Sequence, residues 1–397
     1  MTSGKASRGW SFARPVWLLG FVSLLTDSAS EAIYPLLPAL LQGMGATALT
    51  LGVIEGSAEA VASLLKVWSG RLSDRMARRQ PIILAGYGLS SAVRPLLALA
   101  ALPWHVGAIR FIDRVGKGVR GAPRDAMLAA NAAPEQRGRV FGFHRAMDHV
   151  GAVIGPLVAF AVLYWWPGSE RTLIAWTLVP GILVVLLLTR VKDAAHSARS
   201  TEHSARSTKH PAQSTEHPAL PRSFIRLMIA LGIFALGNSS DMFLLLYLGQ
   251  AGIAPLWLPL LWAAHHVVKV GASLAGGSLA DRIGRRTSIR MGWMIYAVIY
   301  LGFASVASVP ALVALFLLYA VYHGLADGAE KALIADVVPA SARGTAYGIY
   351  GATQGIGALA ASVLCGAIWT YASPAAAFVT GAALAGAAAL WLPRDTD

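Results

Sequence analysis

Apolar runs long enough to cross a bilayer follow one another along almost the whole chain, and this most restricts what the chain can become. About 20 residues at 1.5 Å rise span a hydrocarbon core of about 30 Å, and in that medium every backbone polar group must be satisfied internally. Twelve runs can be drawn, near 15–41, 48–70, 81–101, 107–130, 139–164, 172–189, 223–249, 255–277, 287–306, 310–333, 344–371 and 374–392. The expectation is an all-α membrane protein of twelve transmembrane helices with both termini on one side. A hydrophobic content of 56%, charged residues at 13% and a mean hydropathy of +0.57 exclude an ordinary soluble domain.

A formal charge of +13 raises the question of nucleic acid, and the placement of the charge answers it. Basic residues collect at the N-terminus (Lys5, Arg8, Arg14) and in alternate loops, from Arg71 to Arg79, at Arg137 and Arg139, from Arg190 to Arg226, from Arg282 to Arg290, and at Arg343 and Arg394. The intervening loops carry almost none; Arg171 is the exception. This asymmetry is the positive-inside pattern, so both termini are expected in the cytoplasm of a multi-pass plasma-membrane (bacterial inner-membrane) protein whose only surrounding partner is lipid. The single cysteine, Cys365, forbids an intrachain disulfide. The first run contains Asp27 and Glu31 and is too long for a cleaved signal, so it is read as a retained helix.

The one long polar segment, Arg190 to Arg222, divides the chain into a bundle over 1–189, a disordered cytoplasmic linker over 190–222 and a second bundle over 223–397. The linker repeats HSARSTE, HSARSTK and HPAQSTE with His196, His203, His210 and His217 at intervals of seven, but no apolar seam. The two bundles repeat each other. GRLSDRMARR from Gly70 returns as GSLADRIGRR from Gly277, and Arg137-Gly138 is matched by Arg343-Gly344. Paired halves with a site at the midplane between them are the plan of a secondary transporter.

On these residues the chain resembles the major facilitator superfamily over essentially its whole length. Gly70, Leu72, Asp74, Arg75, Arg78 and Arg79 match the superfamily signature G-x-L-x-D-R-x-G-R-[RK], with Ala77 in place of the central glycine. The second copy, with Gly277, Leu279, Asp281, Arg282 and Gly284, is more complete. The resemblance implies that Asp74 and Asp281 latch the cytoplasmic side by sitting against helix N-termini of the opposite half. Gly142, Gly151 and Gly155-Pro156 resemble the antiporter pattern G-x8-G-x3-G-P, which then departs at Ala159-Phe160. Arg114, Lys117, Gly118 and Ala122 resemble a fourth-helix pattern that implies a part for Arg114 in proton coupling.

Charges inside membrane helices are costly and need reasons. Asp27 and Glu31 lie four apart, as do Glu55 and Glu59, so each pair falls on one helical face. The expected coupling residues are Asp27, Glu31 and Arg114, and the expected cavity residues Glu55, Glu59, Asp113, Asp148, Asp241, His265, His323 and Asp327. Arg124, Asp125, Glu330 and Lys331 are read as structurally paired or near water. No Walker loop or nucleophile elbow is present, so the expectation is a cofactor-free, monomeric, non-enzymatic carrier driven by protons. Its cargo is expected to be a small organic or drug-like molecule moved outward. A metal ion or chelate such as a siderophore, moved in either direction, and a non-transporting receptor of the same fold remain as alternatives.

Overall fold

The computed structural model describes residues 12–76, 78–132, 137–191, 221–339 and 343–392. These are mostly helical, and no strand occurs among them. Nine helical segments among the described residues are long and apolar enough to cross a membrane. Three more of comparable length, Pro103–Ala130, Leu258–Ile283 and Arg285–Ser305, fall short of that measure because they carry charged and imidazole side chains. The twelve-pass expectation rests on these three.

The first pass is α1 (Arg14–Ile33), which tightens into a 3-10 turn over Tyr34–Leu36 and resumes as α2 (Leu37–Gly43). Pro35 and Pro38 cause the change, since each removes an amide donor from the ladder. The second pass is α3 (Ala48–Arg75), capped by the Thr47 side chain. The third, α4 (Gln80–Val93), narrows to a 3-10 turn at Arg94–Leu99, where Pro95 sits. α5 (Pro103–Ala130) and α6 (Arg137–Trp165) follow, then α7 (Glu170–Trp176) and α8 (Leu178–Thr189) as one interrupted pass.

The second half opens with α9 (Arg222–Gly237) and α10 (Met242–Gln250), separated by a non-helical Asn238–Asp241. Irregular backbone at membrane depth persists only where protein satisfies it. Tyr296 OH donates to the Gly237 carbonyl at 2.8 Å, and Tyr319 OH donates to Asp241 Oδ1 at 2.7 Å. The chain then continues through α11 (Leu258–Ile283), α12 (Arg285–Ser305), α13 (Val309–Val337), α14 (Arg343–Tyr371) and α15 (Pro374–Trp391).

Small residues set the close approaches. In α6, Gly151 packs on the Leu24 carbonyl and Asp27 of α1, and Gly155 packs on the Ser28 carbonyl, so a side chain at either position would strike backbone. Across the halves, Gly52 and Gly56 of α3 meet Ser362 and Leu359 of α14 in the same way. A second seam joins α6 to α11. The halves differ in what fills them. Trp293, Tyr296, Tyr300, Tyr319, Tyr322, Phe303 and Phe316 are fully buried in the second bundle, whereas among the described residues of the first only Tyr87, of its aromatics, is buried to that degree.

The repeated decapeptides are mostly helix. Gly70 to Arg75 form the last turns of α3, and Gly277 to Ile283 those of α11. Gly284 turns the chain into α12 with φ +87, a left-handed conformation that glycine adopts without a Cβ clash. The corresponding Ala77, and the side chains of Asp74, Arg75, Asp281 and of residues 137–139 and 343–344 at the starts of α6 and α14 that these acids are expected to latch, lie outside the described residues. So does 192–220, the bulk of the expected linker with its four histidines.

Candidate functional site

A cavity of about 560 Å³ lies between the two halves. Its wall is built from α1 (Asp27, Glu31), α3 (Glu59, Lys66), α5 (Lys117, Arg120, Arg124, Asp125), α6 (His144, Arg145, Asp148, His149) and α11 (His266, Lys269). On α3 and α5 these residues occupy the C-terminal portions, and on α6 the N-terminal portion, which are the ends nearest the arginine-rich turns. The opening is therefore on the arginine-rich face, with Glu31 at the inner end.

Beyond Glu31 the halves are closed against each other. Trp262 Nε1 of α11 donates to Glu31 Oε2 at 2.8 Å, and the Trp262 ring lies 5.0 Å from the Tyr34 ring. Tyr34 OH and Ser240 Oγ share a hydrogen bond of 3.3 Å, and the Leu49 amide donates to Thr370 Oγ1 at 3.1 Å. Phe160 and Trp257 pack with tilted rings 5.4 Å apart farther out. Glu31 thus belongs to both the cavity and its closed end.

The expected site residues divide into two groups. Asp27, Glu31, Glu59 and Asp148 are on the wall. Asp148 accepts from Ser23 Oγ and lies 3.6 Å from His144 Nδ1. Glu55, Asp113, Asp241, His265, His323 and Asp327 are elsewhere. Glu55 is locked to Arg110 through two bonds of 2.8 and 2.6 Å, with Arg110 above the Tyr34 ring at 5.7 Å. Asp113 pairs with Arg94 at 3.0 Å. Both pairs are buried, so each acid neutralises a cation that packing has removed from water.

Asp241 precedes α10 without a side-chain cap bond to it, and its carboxylate accepts from Tyr319 OH. His265 stacks on Trp262 and bonds the Phe316 carbonyl through Nδ1 at 3.0 Å. His323 and Asp327 pair with each other at 3.3 Å on α13. Arg114 is off the wall, and its Nε is buried without an acceptor among the described residues. Arg124 pairs with Asp125 at 2.9 Å while also lining the cavity. Glu330 receives Trp293 Nε1, Tyr350 OH and Gln354 Nε2.

Of the glycines singled out in the sequence, Gly151 and Gly155 pack as described, and Pro156 lies within α6. A Cβ added at Gly142 or Gly277 would meet no neighbour within 4 Å, whereas one at Gly70 would come within 3.3 Å of Ala122 Cβ. Arg78 and Arg282 are exposed. The charged and imidazole wall residues beyond the expected set are Lys66, Lys117, Arg120, Arg124, Asp125, His144, Arg145, His149, His266 and Lys269. The signal for most of them is the charge density of the fourth and fifth apolar runs and the imidazole pair of the eighth. Among the described residues, no three of His, Cys, Asp or Glu converge in a way that holds a metal ion.

Two helical bundles around a charged central cavity, open at one end and closed at the other, define a membrane carrier. The chain belongs to the Major Facilitator Superfamily, whose family model matches residues 16–304 and 227–397. It is 32% identical over 384 residues to the MFS-type transporter MJ1317 of Methanocaldococcus jannaschii, covering 94% of this chain and 92% of that one. It is 27% identical over 162 residues to the multidrug resistance protein MdtH of Photorhabdus laumondii, covering 41% and 39%. In fold it is similar to a bacterial homolog of the human lysosomal transporter Spinster in an inward-facing, unoccupied conformation, with a TM-score of 0.71, 14% identity and coverage of 95% and 94%. It is also similar to a POT family transporter in complex with 5-aminolevulinic acid, with a TM-score of 0.77, 11% identity and coverage of 95% of both chains. The protein is thus a multi-pass membrane transporter and not an enzyme.

Proposed function

We propose that this transporter exports a small, charged organic molecule in exchange for protons, by alternating access of the central cavity. The cavity wall carries the proposal: five carboxylates, six Lys or Arg side chains and three histidines face one space shared by both halves. Such a lining favours a hydrophilic cargo over a lipophilic one, because an apolar ligand leaves these groups desolvated and unpaired. Asp27 and Glu31 are the proposed proton carriers, with Lys117 and Arg120 on the same wall. A carboxylate that gains a proton no longer attracts the cations across the wall, and this ties protonation to rearrangement of the wall. Arg114 supports the network from outside the cavity.

The arginine-rich face is assigned to the cytoplasm by the positive-inside rule, so the described conformation is open inward, with both termini inside. Outward movement draws on the antiporter-like glycines of α6 and on the partial similarity to MdtH. The metal-ion reading has no converging ligand set among the described residues to support it.

The test is uptake into everted membrane vesicles with an imposed pH gradient, acid inside, over a panel of charged metabolites and cationic drugs. Accumulation should collapse with a protonophore. It should also be lost in the Asp27→Asn/Glu31→Gln double variant, which retains counterflow. Gradient-driven accumulation in that variant removes these two acids from the coupling step.

A further inference from the structure

We propose that the cavity recognises its cargo through an oxyanion, a carboxylate or phosphate, which Arg120 of the first half receives and Lys269 of the second closes upon. This rests on the reading of the cavity as the transport site, and deepens it to a substrate class.

The first observation is the balance of charge on the wall. Arg124 and Asp125 of the wall neutralise each other, leaving the carboxylates Asp27, Glu31, Glu59 and Asp148. Facing these four, Lys66, Lys117, Arg120, Arg145 and Lys269 make no ion pair within 4.0 Å among the described residues. Five cations against four carboxylates leave the wall positive by one charge with its histidines neutral.

The second observation is the state of Arg120. Its residue is 6% exposed, its guanidinium carbon sits 4.0 Å above the Tyr87 ring, and its Nη1 is buried without an acceptor. Stacking on Tyr87 fixes the plane of the fork. Asp113 does not satisfy it, because Arg94 holds that carboxylate. A buried charged donor left unpaired is costly, and a planar fork matches an oxyanion in two bonds. Lys117 stands one turn earlier on α5 and adds a mobile ammonium to the same wall. Lys269 reaches the space from α11, across the seam between halves. An oxyanion held from both sides draws the halves together, which is the differential contact that alternating access requires of its cargo.

The experiment is thermal unfolding of the purified full chain in detergent, with sodium phosphate, sodium succinate or tetramethylammonium chloride at matched ionic strength. Phosphate or succinate should raise Tm by roughly 3 °C or more, as expected of a ligand well above its dissociation constant. Tetramethylammonium should not, and the larger of the two anion shifts identifies the oxyanion. Arg120→Gln and Lys269→Gln should each abolish the shift. Should Arg120→Gln fail to fold, Lys269→Gln, whose side chain is only half-buried, carries the comparison. An equal shift with tetramethylammonium, no shift with either anion, or an anion shift that survives in Lys269→Gln overturns the proposal. Anion-dependent stabilisation without proton-driven uptake would instead separate this site from the coupled-export reading.

Discussion

At the scale of single residues, Glu31 is the point where cavity and closure meet. Its carboxylate accepts the Trp262 indole N–H from the opposite half. A hydrogen bond to a charged group contributes about 1.5–3 kcal/mol, and 1.4 kcal/mol changes a conformational ratio tenfold. Trp262→Phe keeps an aromatic ring against Tyr34 and removes the donor, so it should shift the population toward an open outer end by roughly tenfold or more. Spin labels at Gln42 and Gln250, which flank the outer cleft, would report this as a longer distance component; an unchanged distribution rejects the role. The Glu55–Arg110 pair makes a different prediction. Glu55→Ala leaves a buried guanidinium unpaired and should cost about 3–5 kcal/mol, whereas the Glu55→Met/Arg110→Met double variant should recover most of that loss. Thermal unfolding in detergent measures both. Sequence spacing placed Glu55 and Glu59 on one helical face, yet only Glu59 reaches the cavity. Periodicity gives an angle around the axis. It gives neither depth nor the arginine that a neighbouring helix supplies.

Among the helices, what could be read in advance followed from local chemistry. The apolar runs place most helices to within a few residues, and Pro35 and Pro95 mark where the first and third passes tighten. The interruption of α9 and α10 shows only as Asn238–Asp241 within an apolar run; its stability comes from tyrosines of α12 and α13 that no local rule connects to it. The α6 glycines illustrate the same limit. Gly142, Gly151 and Gly155 look equivalent in the sequence, but only the last two touch α1 backbone. Gly155→Ala should therefore lower stability by about 1–3 kcal/mol, the usual cost of overpacking, while Gly142→Ala should be neutral. Detergent melting curves separate the two, and equal effects would contradict the α1–α6 packing.

For the whole molecule, the repeated decapeptides are proposed to set the balance between inward-open and outward-open states. A carboxylate near a helix N-terminus gains about 0.3–2 kcal/mol, enough to move a population without unfolding the protein. Asp74→Asn and Asp281→Asn should leave expression intact, weaken the outward-open state and slow turnover, with Asp281 at least as influential as Asp74. Labelling of cysteines placed along the cavity from the cytoplasmic side should rise; unchanged labelling in both variants reduces the repeat to a topology signal. The halves themselves are unequal. Twelve of the fourteen charged or imidazole side chains on the cavity wall come from residues 27–149, and only His266 and Lys269 come from the second bundle, whose interior is a packed mass of aromatic rings. This imbalance carries an evolutionary consequence. Descendants of the duplicated ancestor can change what they carry by altering polar positions in one half while the other endures as the lever. Laboratory selection for growth on a new toxic cargo should accordingly recover its specificity mutations in the first 150 residues far more often than in the last 170.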